Sequence, residues 1–175
     1  MSEAGINLIS CKIVIVGEAR VGKSSIVQYL TKGEILEKYR MTTNIEITRV
    51  EIKISNSNTI VDFYIHDIPG ANRIFGYPKE IMDQIYKDSK YVVFVTDSTP
   101  NSLSIESWIQ RIRDNAGKIP SILISNKDDI ESIDEKRVID ERIMNYFDKH
   151  FVTSAKTGKG VREAFEFMAN EVANK

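Results

Sequence analysis

The chain has 175 residues, with 24 basic and 25 acidic side chains, a formal net charge of −1 and a single cysteine. That length suits one domain around a single core, and the balanced charge removes the basic excess expected of a nucleic-acid binder. Cys11 has no partner for an intrachain disulfide and fits a reducing compartment. The opening Met1-Ser2-Glu3-Ala4 lacks the basic-then-apolar order of a secretion signal, and no apolar run is long enough to span a bilayer.

In chain order, Ile13-Val14-Ile15-Val16 is a β-branched run that reads as a strand ending at Gly17. Gly22–Leu30 reads as a helix. Between them Gly17-Glu18-Ala19-Arg20-Val21-Gly22-Lys23-Ser24 fits G-x-x-x-x-G-K-[ST], in the required place after a strand and before a helix. Glycines let such a loop wrap closely, so that its N–H groups and the helix N-terminus face phosphate oxygens. Lys23 is expected to reach the β- and γ-phosphates, and the Ser24 hydroxyl to ligate Mg²⁺, a hard cation that prefers oxygen. The motif by itself leaves ATP and GTP open.

Ile45–Ile54 and Thr59–Asp67 read as two strands joined by Ser55-Asn56-Ser57-Asn58, short enough for an antiparallel hairpin. Val92–Thr96 and Ile122–Ser125 are buried-type strands, and His150–Val152 an edge strand. Three helical stripes follow the 3.6 period: Ile105, Trp108, Ile109 and Ile112, stopped at Gly117; Ile139, Ile143, Tyr146 and Phe147; and Val161, Ala164, Phe165, Met168 and Val172. Their apolar residues are read as core. The fold class is α/β, one domain over residues 1–175. Its sheet has about six mostly parallel strands with one antiparallel hairpin strand, and about five helices cover both faces.

Asn126-Lys127-Asp128-Asp129, after the Ile122–Ser125 strand, fits N-K-x-D, and Ser154-Ala155-Lys156 follows the His150–Val152 strand. Both lie at carboxyl ends of strands, where open α/β sheets bind ligands. With these motifs the chain resembles the Ras-like small GTPases over nearly its whole length, as a single P-loop GTPase domain.

The resemblance implies GTP/GDP and Mg²⁺ as ligands. Asp129 would accept two hydrogen bonds from guanine, the Lys127 stem would cover the base, and Asn126 would tie this loop to the phosphate loop. The Ala155 N–H would bond the guanine carbonyl, beside Ser154 and Lys156. Adenine lacks the donors that Asp129 needs, and sites built on such bonds reject analogues by roughly 10⁴-fold. Gly17 through Ser25, Ser25 included, would line the phosphates. Asp67-Ile68-Pro69-Gly70 matches the family's D-x-x-G, with Asp67 holding Mg²⁺ through a water and the Gly70 N–H contacting the γ-phosphate. Nineteen residues after Lys23, where the family puts its Mg²⁺-ligating threonine, stands Thr42, with Thr43 next to it as the alternative. Tyr39 falls where relatives put a tyrosine over the phosphates. Ser24, Thr42 and Asp67 thus form the metal set, and Lys23, Thr42 and Gly70 the catalytic set.

Four positions depart from the family. Ala71 stands where most members carry the glutamine that orients the attacking water, which implies slow hydrolysis. Arg20 is read as a solvated side chain, the alternative being an arginine supplied in cis. Ile35, twelve residues after Lys23, replaces an aromatic beside the base. His66 stands where Rab proteins have tryptophan and reads as packed or partner-facing.

Thr96-Asp97-Ser98-Thr99 and the Trp108 helix look Rab-like. Lys38–Asn44, the missing glutamine and the ending Glu171–Lys175 without cysteine are similar to the Rab-like GTPases of intraflagellar transport. The resemblance implies protein effectors on Tyr39–Ile47 and Asp67–Lys87, with an exchange factor and an activating protein. It implies no nucleic-acid partner and a cytoplasmic place, with a cilium or a partner's membrane as alternatives. No lipid anchor is visible: either the protein docks without one or a tail is missing. The competing function is a GTP-locked binding module that scarcely hydrolyses. A P-loop kinase is disfavoured, because Asn126–Asp129 would be surplus to it.

Overall fold

β1 (Asn7–Gly17) is the centre of the fold, with β3 (Thr59–Asp67) and β4 (Ser89–Asp97) parallel on either side. In the computed structural model, which describes residues 5–35, 42–70, 76–97, 105–130 and 141–175, the sheet has six strands in the order β2-β3-β1-β4-β5-β6. β2 (Glu46–Lys53) is antiparallel to β3, from Glu46 opposite Asp67 to Lys53 opposite Ile60, so the expected hairpin forms. β5 (Ser121–Asn126) and β6 (Lys149–Val152) complete the parallel part, with β6 at the edge as read from the sequence.

The apolar runs mark only the inner halves of the strands. β1 begins at Asn7, six residues before Ile13, because pairing with β3 runs from Asn7 opposite Thr59. Its outer half is largely exposed, so no hydrophobic signal announces it. A backbone ladder needs a neighbour, not an apolar side chain.

Alternate β1 residues feed two separate layers, as the period of a strand requires. Ile13 and Ile15 join Phe63, Ile65, Val93 and Ile122 beneath α1 (Lys23–Lys32) and α5 (Val161–Ala173). Val14 and Val16 join Val92, Phe94 and Leu123 beneath α2 (Lys79–Tyr86) and α3 (Ile105–Ala116). The first stripe behaves as read: Trp108, Ile109 and Ile112 are buried, and Gly117, at φ 69°, donates to the Arg113 carbonyl at 3.0 Å to stop α3. The third also holds, with Val161, Ala164, Phe165 and Met168 buried.

The second stripe holds in part. Ile139 lies outside the described residues, the described part of α4 is Glu141–Met144, and Ile143 and Phe147 pack on the core while Tyr146 is exposed. The Tyr146 and Phe147 N–H groups bond back three residues, to Ile143 at 3.1 Å and Met144 at 3.0 Å, a tightened turn that ends the helix. Phe147 then packs edge-on against Phe94, with ring centres 5.0 Å apart, while the Arg113 guanidinium lies 4.3 Å from the ring centre of exposed Tyr146.

Candidate functional site

All five parallel strands end at one edge of the sheet, so Gly17, Asp67, Asp97, Asn126 and the segment after Val152 gather there. The phosphate loop is drawn tight by two glycines. A Cβ on Gly17, at φ 144°, would lie 2.1 Å from the Val95 carbonyl oxygen. One on Gly22, at φ 99°, would lie 2.2 Å from the Asn126 amide nitrogen. These close approaches and positive angles suit glycine.

Lys23 opens α1 and is buried. Its ammonium donates to the Gly17 carbonyl at 3.0 Å and the Glu18 carbonyl at 2.8 Å. An ammonium has three protons, so two bonds fix its position while leaving capacity for one more acceptor. Burial pulls its pKa down to about 8, against the opposing charges of Asp67 and Glu18.

Three oxygen side chains from three elements meet beside it. The Ser24 hydroxyl donates to Asp67 Oδ2 and shares a 2.8 Å hydrogen bond with the Thr42 hydroxyl. Thr42, not the exposed Thr43, is thus joined to the cluster. Asp67 is buried, and burial raises its carboxyl pKa, partly offset by the Ser24 hydroxyl and the Lys23 charge. Its Oδ1 is buried with no hydrogen-bond partner among the described residues. Two hydroxyls and a carboxylate with a spare oxygen are the hard donor set a Mg²⁺ ion accepts, so the residues fit the expected metal. Gly70 abuts the loop: a Cβ there would lie 2.6 Å from the Ala19 nitrogen.

At the other end Asn126 is a buried hub. Its Nδ2 donates to the Val21 carbonyl at 3.0 Å. Its Oδ1 accepts from the Thr153 hydroxyl and the Ala155 N–H, both at 3.0 Å. The loop-to-loop tie expected of Asn126 is therefore present. The Ala155 N–H, expected to face the guanine carbonyl, donates to Asn126 Oδ1 in this structure. Asp129 accepts from the Ser154 hydroxyl at 2.5 Å, with Lys156 Nζ 3.9 Å from its other oxygen. Asp128, at the variable place of the motif, faces out to Lys159 at 2.5 Å. Lys127 adopts φ 66° and its ammonium meets buried Asp97 at 2.7 Å.

Sequence reasoning gave Asp97 and Thr153 no role, although each is a polar residue at the exit of an apolar strand, which is the signal for them. It also missed the bond from Trp108 Nε1 to Glu18 Oε1 at 3.0 Å. Arg20 is exposed at φ 68°, as the solvated reading expects. Ile35 is half-buried, and Ser25 lies in the first turn of α1. Tyr39 and Ala71 lie outside the described residues. His66 is half-buried opposite Ile47, its pKa lowered by burial and by Lys12. Ile47 and Tyr64 are exposed near it. Among the described residues, no helix is long and apolar enough to cross a membrane.

The model of the Ras family matches residues 12–174. The chain is similar to the Ras-related protein Rab-1 of Theileria parva, 30% identical over 175 residues, covering 94% of this chain and 74% of the relative. It is similar to Rab-5B of Plasmodium falciparum, 29% identical over 168 residues, covering 92% and 77%. It is also similar to intraflagellar transport protein 27 of Chlamydomonas reinhardtii, 28% identical over 128 residues, covering 69% of this chain and 61% of that one.

Proposed function

The chain belongs to the Ras family, and on that premise we propose that it is a GTP-binding switch with slow hydrolysis, acting in intracellular trafficking through nucleotide-dependent partner binding. The observation that carries this reading is the Asn126 hub, which joins the phosphate loop at Val21 to the base-side loop at Ala155. Two loops bonded to one side chain sit at a fixed separation, as reading both ends of one nucleotide requires. Asp129 sets the guanine preference, with Lys127 beside it and the 154–156 segment behind. Gly17 to Ser25 and Tyr39 hold the phosphates.

Ser24, Thr42 and Asp67 would hold Mg²⁺, which when bound supplies hard positive charge at the phosphate oxygens. Lys23 orients and neutralises the β–γ bridge, and the Gly70 N–H senses the γ-phosphate. Gly70 lies against Ala19, so any change in the loop's occupant bears directly on the D-x-x-G segment. Effectors would read Tyr39–Ile47 and Asp67–Lys87, and the exposed Ile47 and Tyr64 supply apolar contact there. An exchange factor and an activating protein complete the cycle. The Rab and intraflagellar transport relatives support a trafficking role.

Ala71 favours one second reading, a GTP-locked assembly subunit. Nucleotide released from the purified protein and followed by chromatography separates the two. Bound GDP, or GTP that converts over hours, supports the slow switch; GTP that persists supports the locked module; ATP overturns both. In single-turnover assays Ala71→Gln should speed hydrolysis about tenfold or more, the scale of one positioning group. A fast unaltered protein that ignores the substitution defeats the slow-hydrolysis reading.

A further inference from the structure

Glu18 is an acidic residue inside a loop read as binding phosphates. Two contacts hold it. Its carbonyl accepts from Lys23 Nζ at 2.8 Å, and its carboxylate accepts from the Trp108 indole N–H at 3.0 Å, across 90 residues of sequence. A small cavity lined by Gly17, Glu18, Val21, Phe94 and Trp108 lies beside the second bond. The bond ties the loop to α3 on this flank. Trp108 itself is firmly seated. It is buried in the layer that holds Ile68 of the D-x-x-G segment and Met82 of α2.

We propose that Trp108 is a positioning residue for the phosphate loop: its indole N–H pins the Glu18 carboxylate against α3 and so slows release of a nucleoside triphosphate. This rests on the nucleotide reading above. The physical reason is charge. A carboxylate free to turn toward the loop would oppose a triphosphate and compete for Lys23. A neutral donor on a rigid helix holds that carboxylate on the loop's outer flank without adding a charge of its own. Tryptophan suits this because its N–H only donates and its ring can be buried.

The test is the release rate of a fluorescent GTP analogue with Mg²⁺. Trp108→Phe keeps the ring and loses the donor. It should speed release about tenfold, the scale of one hydrogen bond to a charged group. The excess should shrink in high salt, as a charge effect does and a packing defect does not. Adding Glu18→Gln to Trp108→Phe should slow release several-fold relative to Trp108→Phe alone, because the repelling charge is gone. Unchanged release in Trp108→Phe, or no recovery in the double variant, overturns the proposal while nucleotide binding by the unaltered chain still upholds the broader reading. Failure of the unaltered chain to bind GTP overturns both.

Should Trp108→Phe not fold, the unaltered protein answers the question, because Trp108 is the only tryptophan. Its single indole N–H resonance should exchange slowly with water and more slowly still with GTP and Mg²⁺. Exchange that GTP leaves unchanged overturns the proposal.

Discussion

The two ends of the site are built differently. At the base end the key polar side chain is satisfied within the protein: buried Asn126 uses its amide and carbonyl on Val21, Thr153 and Ala155. At the phosphate end the key groups keep unused capacity. Lys23 spends two of its protons on loop carbonyls, and Asp67 buries an oxygen with no partner among the described residues. The base end is therefore a part of the folded architecture, made whether or not a ligand comes. The phosphate end is held in place at a cost, which a cation and phosphates would relieve. Burial without a partner is unfavourable, and raising the Asp67 pKa is its signature.

The sharpest way to break this comparison is at Asp129, the residue proposed to read guanine at the base end. Asp129→Ala should lower the preference for GTP over ATP by about 10⁴-fold, because the paired donors of guanine lose their acceptor. Titration with both triphosphates checks it, and a preference that survives removes guanine recognition from this residue.

The next effect is on stability. Asn126→Ala should destabilise the fold by about 2–4 kcal/mol even without nucleotide, since it strands buried partners on both loops. Urea unfolding of the nucleotide-free protein measures this. A loss below about 0.5 kcal/mol, the size of a neutral surface change, would mean the hub is not structural.

Asp67→Asn should do the opposite. It should weaken binding of the triphosphate with Mg²⁺ by about 10- to 100-fold, as loss of a charged ligand contact does. Yet the nucleotide-free fold should be unchanged or more stable by up to about 1 kcal/mol. The sign follows from the titration. The folded pKa of Asp67 is raised above its ordinary value of 3.8, so the unfolded chain gives up this proton first. Stability then falls as pH rises from about 3.8 through the folded pKa, and the penalty persists above it. Asparagine carries no such penalty, so its advantage should be present at pH 7 and vanish below pH 3.8. Melting curves at the two pH values check it. An Asp67→Asn chain much less stable than its parent at pH 7 would show that both ends are built alike.

What could be read from the sequence follows the same division. Gly17–Ser24, Asp67–Gly70 and Asn126–Asp129 were legible because each is a contiguous string with fixed spacing at the end of an apolar strand. The spacing of Thr42 from Lys23 also pointed to the hydroxyl that meets Ser24. The stripe that ends at Phe147 misled at Tyr146, which is exposed, because a 3.6 period does not reveal a turn that tightens after Met144. The bond from the Ala155 N–H to Asn126 was not legible at all. A backbone donor carries no sequence signal of which acceptor takes it.

The sequence by itself determined the strand cores and the residue types of the three strand-end motifs. These depend on local period and on residue types a few positions apart. Tertiary structure alone decided that Ser24, Thr42 and Asp67 share one cluster, that Asn126 bonds Val21, Thr153 and Ala155, and that Trp108 reaches Glu18. Those are meetings between strand ends and helix faces far apart in the chain. Only the parallel sheet, by carrying every strand's carboxyl end to one edge, brings them within bonding distance.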